Sequence, residues 1–271
     1  MLLRLTGRII LLLFTIAIIA PLLLVVFTSF KTTPQFFADP IGLPPSLSFH
    51  NYASIFEGQP MLRYFGNSIY VTAGTVLLEL LFAGMIAFAI IRSGKKTGAW
   101  MQALFAAGLM VPAQVNMIPI YKFIKELGWT NSLTGLMAVS ISTLLPLSVF
   151  MLANFMRTLP KEILEAGSID GAGEWRLMTR IAFPLCAPYL AATSAFLFVI
   201  VWNDLLFPML LVSGKQHLTL PLALLQFRGE YTTDYPMLLT GVAVVSLPLI
   251  VVFVFLQRYF ISGAMAGSLK G

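Results

Sequence analysis

Leu159 to Pro188 reads LPKEILEAGSIDGAGEWRLMTRIAFPLCAP, a charged stretch in a chain otherwise built of apolar runs and short loops. It carries Lys161, Glu162, Glu165, Asp170, Glu174, Arg176 and Arg180, with apolar residues between them at helical spacing. Ile163 and Ala166 fall on one side of a first short helix, with Leu164 beside them. Trp175, Met178 and Ala182, with Ile181 next to them, form a stripe on a second, because positions i, i+3 and i+7 share a face. Asp170-Gly171 is a turn signal between the two, and Asp170 also has the side chain of an N-cap for the helix that follows. The expectation is a helix–turn–helix loop. Physical chemistry alone leaves two roles open for it: a surface offered to another protein, or a pair of amphipathic helices lying among lipid headgroups.

The rest of the chain sets the environment. Of 271 residues, 58% are hydrophobic and 10% charged, where a soluble domain carries roughly 25% charge. That places the chain in the membrane class. The single cysteine, Cys186, excludes internal disulfides and cysteine metal clusters. A net charge of +6 in a soluble protein would point to nucleic acid; in this composition membrane topology accounts for it, and no nucleic-acid partner is expected.

The expected fold class is an all-α membrane protein, one transmembrane domain over 1–271 with six transmembrane helices. The predicted spans are 9–30, 67–91, 100–121, 132–156, 185–206 and 236–256. Ile9 to Phe30 is uncharged and, at 1.5 Å per residue, gives ~33 Å of helix for a ~30 Å hydrocarbon core. Arg4 and Arg8 resemble the start of a signal peptide, but the apolar run is too long and no A-x-A site follows it, so it is kept as a span. Asn67 is placed as the N-cap of the second span. Pro112, Pro119, Pro146 and Pro248 mark kinks within spans.

Six spans put both termini on one face. Arg4, Arg8, Arg92, Lys95, Lys96, Arg157, Lys161, Arg176, Arg180, Arg258 and Lys270 share that face; Lys31, Arg63, Lys122, Lys125, Lys215 and Arg228 lie on the other. Eleven against six makes the termini and the 157–184 loop cytoplasmic. Two sizeable loops, Lys31 to Gly66 and Val212 to Tyr235, are external. His50 and His217 lie in them without a carboxylate at ligand spacing, which reads as solvated histidine rather than metal.

Enzyme motifs are absent. Gly94-Lys95 is followed by Lys96, with Ala89 where the first glycine of a phosphate loop belongs. Arg176 stands where a dinucleotide fingerprint beginning at Gly171 needs its third glycine. H-E-x-x-H and G-x-S-x-G do not occur. Within the spans, Glu79 is a candidate for pathway lining or helix packing, since an intramembrane carboxylate left in lipid costs a few kcal/mol. Asn203 and Asp204 are expected to bond across helices. Secondary transporters commonly place their site between two repeats of one chain; no repeat is visible here, so the six spans read as half of a pathway driven from elsewhere.

Glu165-Ala166, Gly171, Ile181 and Pro184 resemble the EAA loop of ABC importer permeases, whose pattern is E-A-A, three residues, G, nine residues, I-x-L-P. Gly167 replaces the second alanine and Phe183 the leucine, and Gly167 is expected to loosen the first helix by up to ~1 kcal/mol relative to alanine. Asn51-Tyr52, Asn67-Ser68, Trp202-Asn203-Asp204, Leu218-Thr219-Leu220-Pro221 and the tail Gly263 to Gly271 resemble the carbohydrate-uptake, maltose-transporter-like branch. The resemblance implies a multi-pass permease of the bacterial plasma membrane that is not itself an enzyme and binds no cofactor. Its partners would be a second homologous permease, two ATP-binding subunits carrying ATP and Mg, an extracytoplasmic solute-binding protein and the lipid bilayer. Glu165, Ala166, Gly167, Asp170, Gly171, Ile181 and Pro184 would form the ATPase-coupling surface. Alternatives are a secondary transporter or channel subunit, or, within ABC importers, a glycerol-phosphate or polyol permease.

Overall fold

The computed structural model describes residues 2–227 and 233–268, without the side chains of 2–5, 256 and 258–268. Arg4, Arg228, Arg258, Lys270 and the tail Gly263 to Gly271 therefore lie outside the described side chains. Among the described residues every regular element is helical, in the order α1 (Leu2–Ser29), α2 (Thr33–Ala38), α3 (His50–Gly58), α4 (Met61–Arg92), α5 (Lys95–Gly108), α6 (Met117–Glu126), α7 (Leu133–Met156), α8 (Lys161–Ile169), α9 (Glu174–Leu177), α10 (Phe183–Leu185), α11 (Ala187–Trp202), α12 (Leu206–Leu211), α13 (Leu220–Leu224) and α14 (Tyr235–Ser268).

Four segments are long and apolar enough to cross a bilayer: Thr6–Ser29, Met61–Arg92, Leu133–Met156 and Tyr235–Phe255. Two bent pairs meet the same test, Lys95–Gly108 with Ala113–Glu126 at 77° and Glu174–Leu185 with Ala187–Trp202 at 78°. The expected straight span over 100–121 is thus a broken one. Leu109 and Met110 donate to Ala106 and Ala107, winding the end of α5 down to three-residue turns, and Pro112, which has no N–H, starts a short 3-10 helix. Pro119 falls in the first turn of α6, where a missing N–H costs nothing, so it makes no kink. The span expected over 185–206 is a shorter helix, α11, that ends at Trp202. Pro184 and Pro188 flank its bend, and Pro188 lacks the N–H that would continue the ladder from Pro184.

Ser132 caps α7, accepting from the Gly135 N–H at 3.3 Å. Asn67 does not cap α4. The helix begins at Met61, which puts Asn67 well inside it and frees its side chain for other partners.

Two compact units divide the chain: residues 1–65 with 220–248, and residues 66–219 with 249–271. In the first, most of α1 from Ile9 to Leu23 is exposed and apolar, as a lipid-facing helix requires. The Asn51-Tyr52 pair secures its end. Asn51 Nδ2 donates to the Ser29 and Lys31 carbonyls, both at 2.8 Å, satisfying helix-end acceptors, and the Tyr52 hydroxyl meets Ser29 Oγ at 2.8 Å. Lys31 is buried and donates to the Asp39 carbonyl at 2.7 Å.

In the second unit, one hydrophobic core joins four stretches of chain: Ala83, Ala87, Phe88 and Ile90 of α4; Val149, Leu152, Ala153 and Met156 of α7; Leu164 of α8; and Leu177, Met178, Ala182 and Cys186. The charged loop is thereby part of the core that holds two membrane-spanning helices. It is not an appendage.

Candidate functional site

The 161–185 loop folds as two helices with a tight turn, and its turn has a definite motif. Asp170 ends α8, Gly171 takes φ +80°, the Gly171 N–H donates to the Ser168 carbonyl at 3.1 Å and the Ala172 N–H to the Gly167 carbonyl at 3.0 Å. This pairing is the Schellman arrangement, which places a left-handed residue just past the helix and favours glycine there. Asp170 is the C-cap of α8, and Gly173 holds the N-cap position of α9. The N-cap role expected for Asp170 therefore falls to a residue without a side chain.

The buried faces differ from the expected stripes by a rotation. Leu164 and Gly167 point inward on α8, while Ile163, Glu165, Ala166 and Ile169 are exposed, Ile169 by 86%. On the second segment Leu177, Met178 and Ala182 are buried, whereas Trp175 is 61% exposed. A π-type turn over Met178–Ala182 widens the helix there and moves the stripe by about one residue.

Both departures from the EAA pattern have a packing reason. A Cβ on Gly167 with nothing else moved would meet Leu177 Cδ2 at 2.7 Å and Ile181 Cδ1 at 2.8 Å. Glycine at 167 is what lets α8 lie against the following segment, and its modest helix cost is set against that approach. Phe183 presses its ring on Gly84 of α4, where a Cβ would stand 2.6 Å from Cζ. A larger side chain at 183 is matched by a missing one at 84.

One ion pair links the loop to α4. Arg92 Nη2 lies 2.7 Å from Glu174 Oε1 and Nε lies 3.0 Å from Oε2, a two-point contact, and Nη2 also reaches Ser168 Oγ at 3.4 Å. The hydrogen bond from Arg92 and its positive charge hold the Glu174 carboxyl below the usual carboxylate range. No signal along the chain marks this pair, which joins residues 82 positions apart.

At the opposite end of the unit, three separated sequence stretches converge. Asn67 Nδ2 donates to the Gln216 and Leu218 carbonyls at 3.0 and 2.8 Å. Ser68, Trp202, Asp204 and Thr219 line one small cavity of about 10 Å³ with Thr72 and Ser140, room for about one water molecule. Asn203 and Asp204 form local bonds instead of the expected ones across spans: Asn203 Nδ2 donates to Val199 of its own helix at 2.8 Å, and Asp204 Oδ1 accepts from the Leu206 N–H at 3.0 Å, at the start of α12. Asn131, at φ 53°, accepts from the Gly214 N–H at 2.8 Å and the Ser213 N–H at 3.3 Å.

Glu79 is fully buried in α4 beside Ser148 of α7, and among the described residues neither of its carboxylate oxygens makes a close hydrogen bond. Thr75 and Thr193 are fully buried with unpaired hydroxyls as well. Among the described residues no three His, Cys, Asp or Glu side chains gather into a metal-holding group.

The profile of a family described as binding-protein-dependent transport system inner membrane component matches residues 79–264. The chain is similar to the arabinooligosaccharides transport system permease protein AraQ of Halalkalibacterium halodurans, 32% identical over 93% of this chain and 91% of that one. It is also similar to the melibiose/raffinose/stachyose import permease protein MelC of Bacillus subtilis, 31% identical over 84% of this chain and 83% of that one. Its fold resembles that of a bacterial ABC transporter involved in the import of the acidic polysaccharide alginate, with TM-score 0.84 at 18% identity, covering 96% of each chain.

Proposed function

The chain belongs to the family of binding-protein-dependent transport inner membrane components, and from that premise we propose that the 161–185 loop is where a separate ATPase drives it. The protein is a permease subunit of an ABC importer, a multi-pass membrane protein and not an enzyme. The cargo we assign to it is a sugar or oligosaccharide, supported by relatives that carry arabinooligosaccharides and melibiose, raffinose or stachyose. A second permease chain would complete the pathway, two ATPase subunits would bind Mg-ATP below it, and a soluble binding protein would deliver the solute from outside. Both termini would lie in the cytoplasm of a bacterial cell, a reading supported by the lysine and arginine asymmetry.

The observation that carries the coupling role is the two-faced character of α8. One face, Leu164 and Gly167, is packed into the core that holds α4 and α7; the other, Ile163, Glu165, Ala166 and Ile169, is free. A motor seated on the free face would push on a rigid body, because interiors packed at this density transmit displacement instead of absorbing it. Glu165 supplies a charge for a basic partner residue, Ala166 permits close approach, and Gly171 holds the turn that ends α8. Asp170 and Pro184, both exposed, extend that surface as the end of α8 and the exit of the loop, whereas Ile181 packs with Gly167 on the core side.

Glu165→Lys reverses an exposed charge near the centre of that face. The expected result is a protein present at normal level in the membrane that no longer transports sugar in proteoliposomes while its ATPase subunits still hydrolyse ATP. Transport at the unaltered protein's rate would end the assignment.

A further inference from the structure

A cavity of about 530 Å³ opens where the end of α4, the start of α5, the end of α7 and the start of α8 meet. Its lining is divided by chemistry. Ile90, Ile91, Ala99, Met156, Leu159 and Leu164 supply apolar walls, and Arg92, Lys95, Arg157 and Lys161 supply four cations against the single carboxylate of Glu165. Arg92 is matched by Glu174, yet among the described residues Lys95, Arg157 and Lys161 have no carboxylate within salt-bridge distance, so the lining keeps a surplus of positive charge.

The backbone adds to that surplus. The N-termini of α5 and α8 both border the cavity, and neither receives a side-chain cap from Gly94 or Pro160. Uncapped helix starts present free N–H groups and a partial positive charge to whatever lies before them. The C-termini of α4 and α7 end there too, and Arg92 in the last turn of α4 lies where it offsets part of their negative charge. Lys95, Arg157, Lys161 and the two helix starts are left to attract an anion.

The level of the cavity on the molecule narrows the ligand. Trp100, one position past the lining residue Ala99, is 67% exposed, and Leu104, one turn further along α5, is 56% exposed. An exposed tryptophan followed by exposed apolar residues marks the boundary between headgroups and acyl chains. We propose that this cavity is a binding site for an anionic phospholipid, its phosphate held by Lys95, Arg157, Lys161 and the α5 and α8 N-termini, and its acyl chains laid along the apolar wall. Basic pockets between helices at the cytoplasmic face have this composition for the same physical reason. Since α8 forms one wall, the lipid brackets the loop against α4 and α7. The inference needs only that this end of the unit lies at a membrane face; it does not depend on an ATPase.

The test is lipid retention by the full chain with whichever subunits co-purify. The protein is reconstituted in nanodiscs of phosphatidylcholine containing a minority of phosphatidylglycerol, then released and weighed by native mass spectrometry. The unaltered protein is expected to retain phosphatidylglycerol in preference to phosphatidylcholine. The Lys95→Gln/Arg157→Gln variant is expected to retain about thirtyfold less, in keeping with two lost charges at an anionic surface. Lys95→Arg/Arg157→Lys keeps the charges and is expected to keep the lipid, which separates loss of the site from misfolding. Arg63→Gln/Lys215→Gln, which removes two cations elsewhere, is expected to change nothing. The proposal is overturned if the glutamine variant retains as much phosphatidylglycerol as the unaltered protein, if phosphatidylcholine is held equally well, or if millimolar inorganic phosphate displaces the lipid and shows the site to be one for soluble anions.

Discussion

The two ends of the second unit fasten their loops by different physics. At one end, the 161–185 loop is held by close apolar approach: Gly167 on Leu177 and Ile181, Gly84 under Phe183, and a core shared by α4, α7, α8 and the residues up to Cys186. At the other, asparagine side chains hold backbone: Asn67 takes the carbonyls of Gln216 and Leu218, and Asn131 takes the N–H groups of Ser213 and Gly214. Close packing resists displacement in every direction, which suits a part that receives a push. Hydrogen bonds to backbone are directional and few, and they fix a loop's position while leaving the side chains of that loop free to vary.

The sharpest way to break this contrast is at the glycine–phenylalanine contact. Gly84→Ala is expected to destabilise the protein by about 1–3 kcal/mol, the usual cost of overpacking, read as a drop in the thermal unfolding midpoint. In a Phe183→Leu background, which restores the residue of the EAA pattern, the same change is expected to cost far less, with a coupling between the two of about 1 kcal/mol. Equal costs in both backgrounds would show that the ring does not set the space at residue 84.

Asn67→Ala tests the other end. It leaves two carbonyls without their donor, and the expected loss is about 1–3 kcal/mol if they stay dry and less if water reaches them. Limited proteolysis near Gln216 should accelerate more than cleavage elsewhere. Uniform acceleration along the chain would mean that the bond supports the whole unit and not this loop.

The smallest effect is expected at the Arg92–Glu174 pair, whose side chains are 30% and 62% exposed. Exposed pairs contribute about 0–1 kcal/mol, so Glu174→Gln should barely move the unfolding midpoint at neutral pH. Because the pair holds the folded carboxyl below its unfolded value of 4.5, its contribution is present above that value and is lost as pH falls through the lower, folded one. The difference between Glu174→Gln and the unaltered protein should therefore vanish under acid. A difference that grew there would reverse the sign and rule out the pair as its source.

The loop's existence was legible because its charges interrupt an apolar chain, and its turn was legible because Asp170-Gly171 is turn chemistry wherever it stands. Its faces were not. The i, i+3, i+7 rule placed Trp175 with Met178 and Ala182, but a π-type turn rotates the later residues, and Trp175 faces out. Asn67 read as a helix start because asparagine favours that position, yet α4 begins at Met61 and tertiary contact with Gln216 and Leu218 gives its side chain a different use. Pro112 was legible as a break, but the 77° bend that follows from it was not, since a proline removes a hydrogen bond without dictating where the chain goes next.

By itself the sequence determined what is set by composition and local chemistry: a membrane protein of apolar helices and a charged two-helix loop among them. Tertiary structure alone decided which glycines are spaces for a distant ring, which asparagines hold a distant backbone, and that Ser68, Trp202, Asp204 and Thr219 share one cavity. The reason is range. Hydropathy and turn propensity act within a few residues, whereas a space for Phe183 at Gly84 exists only after the chain has brought together positions 99 residues apart.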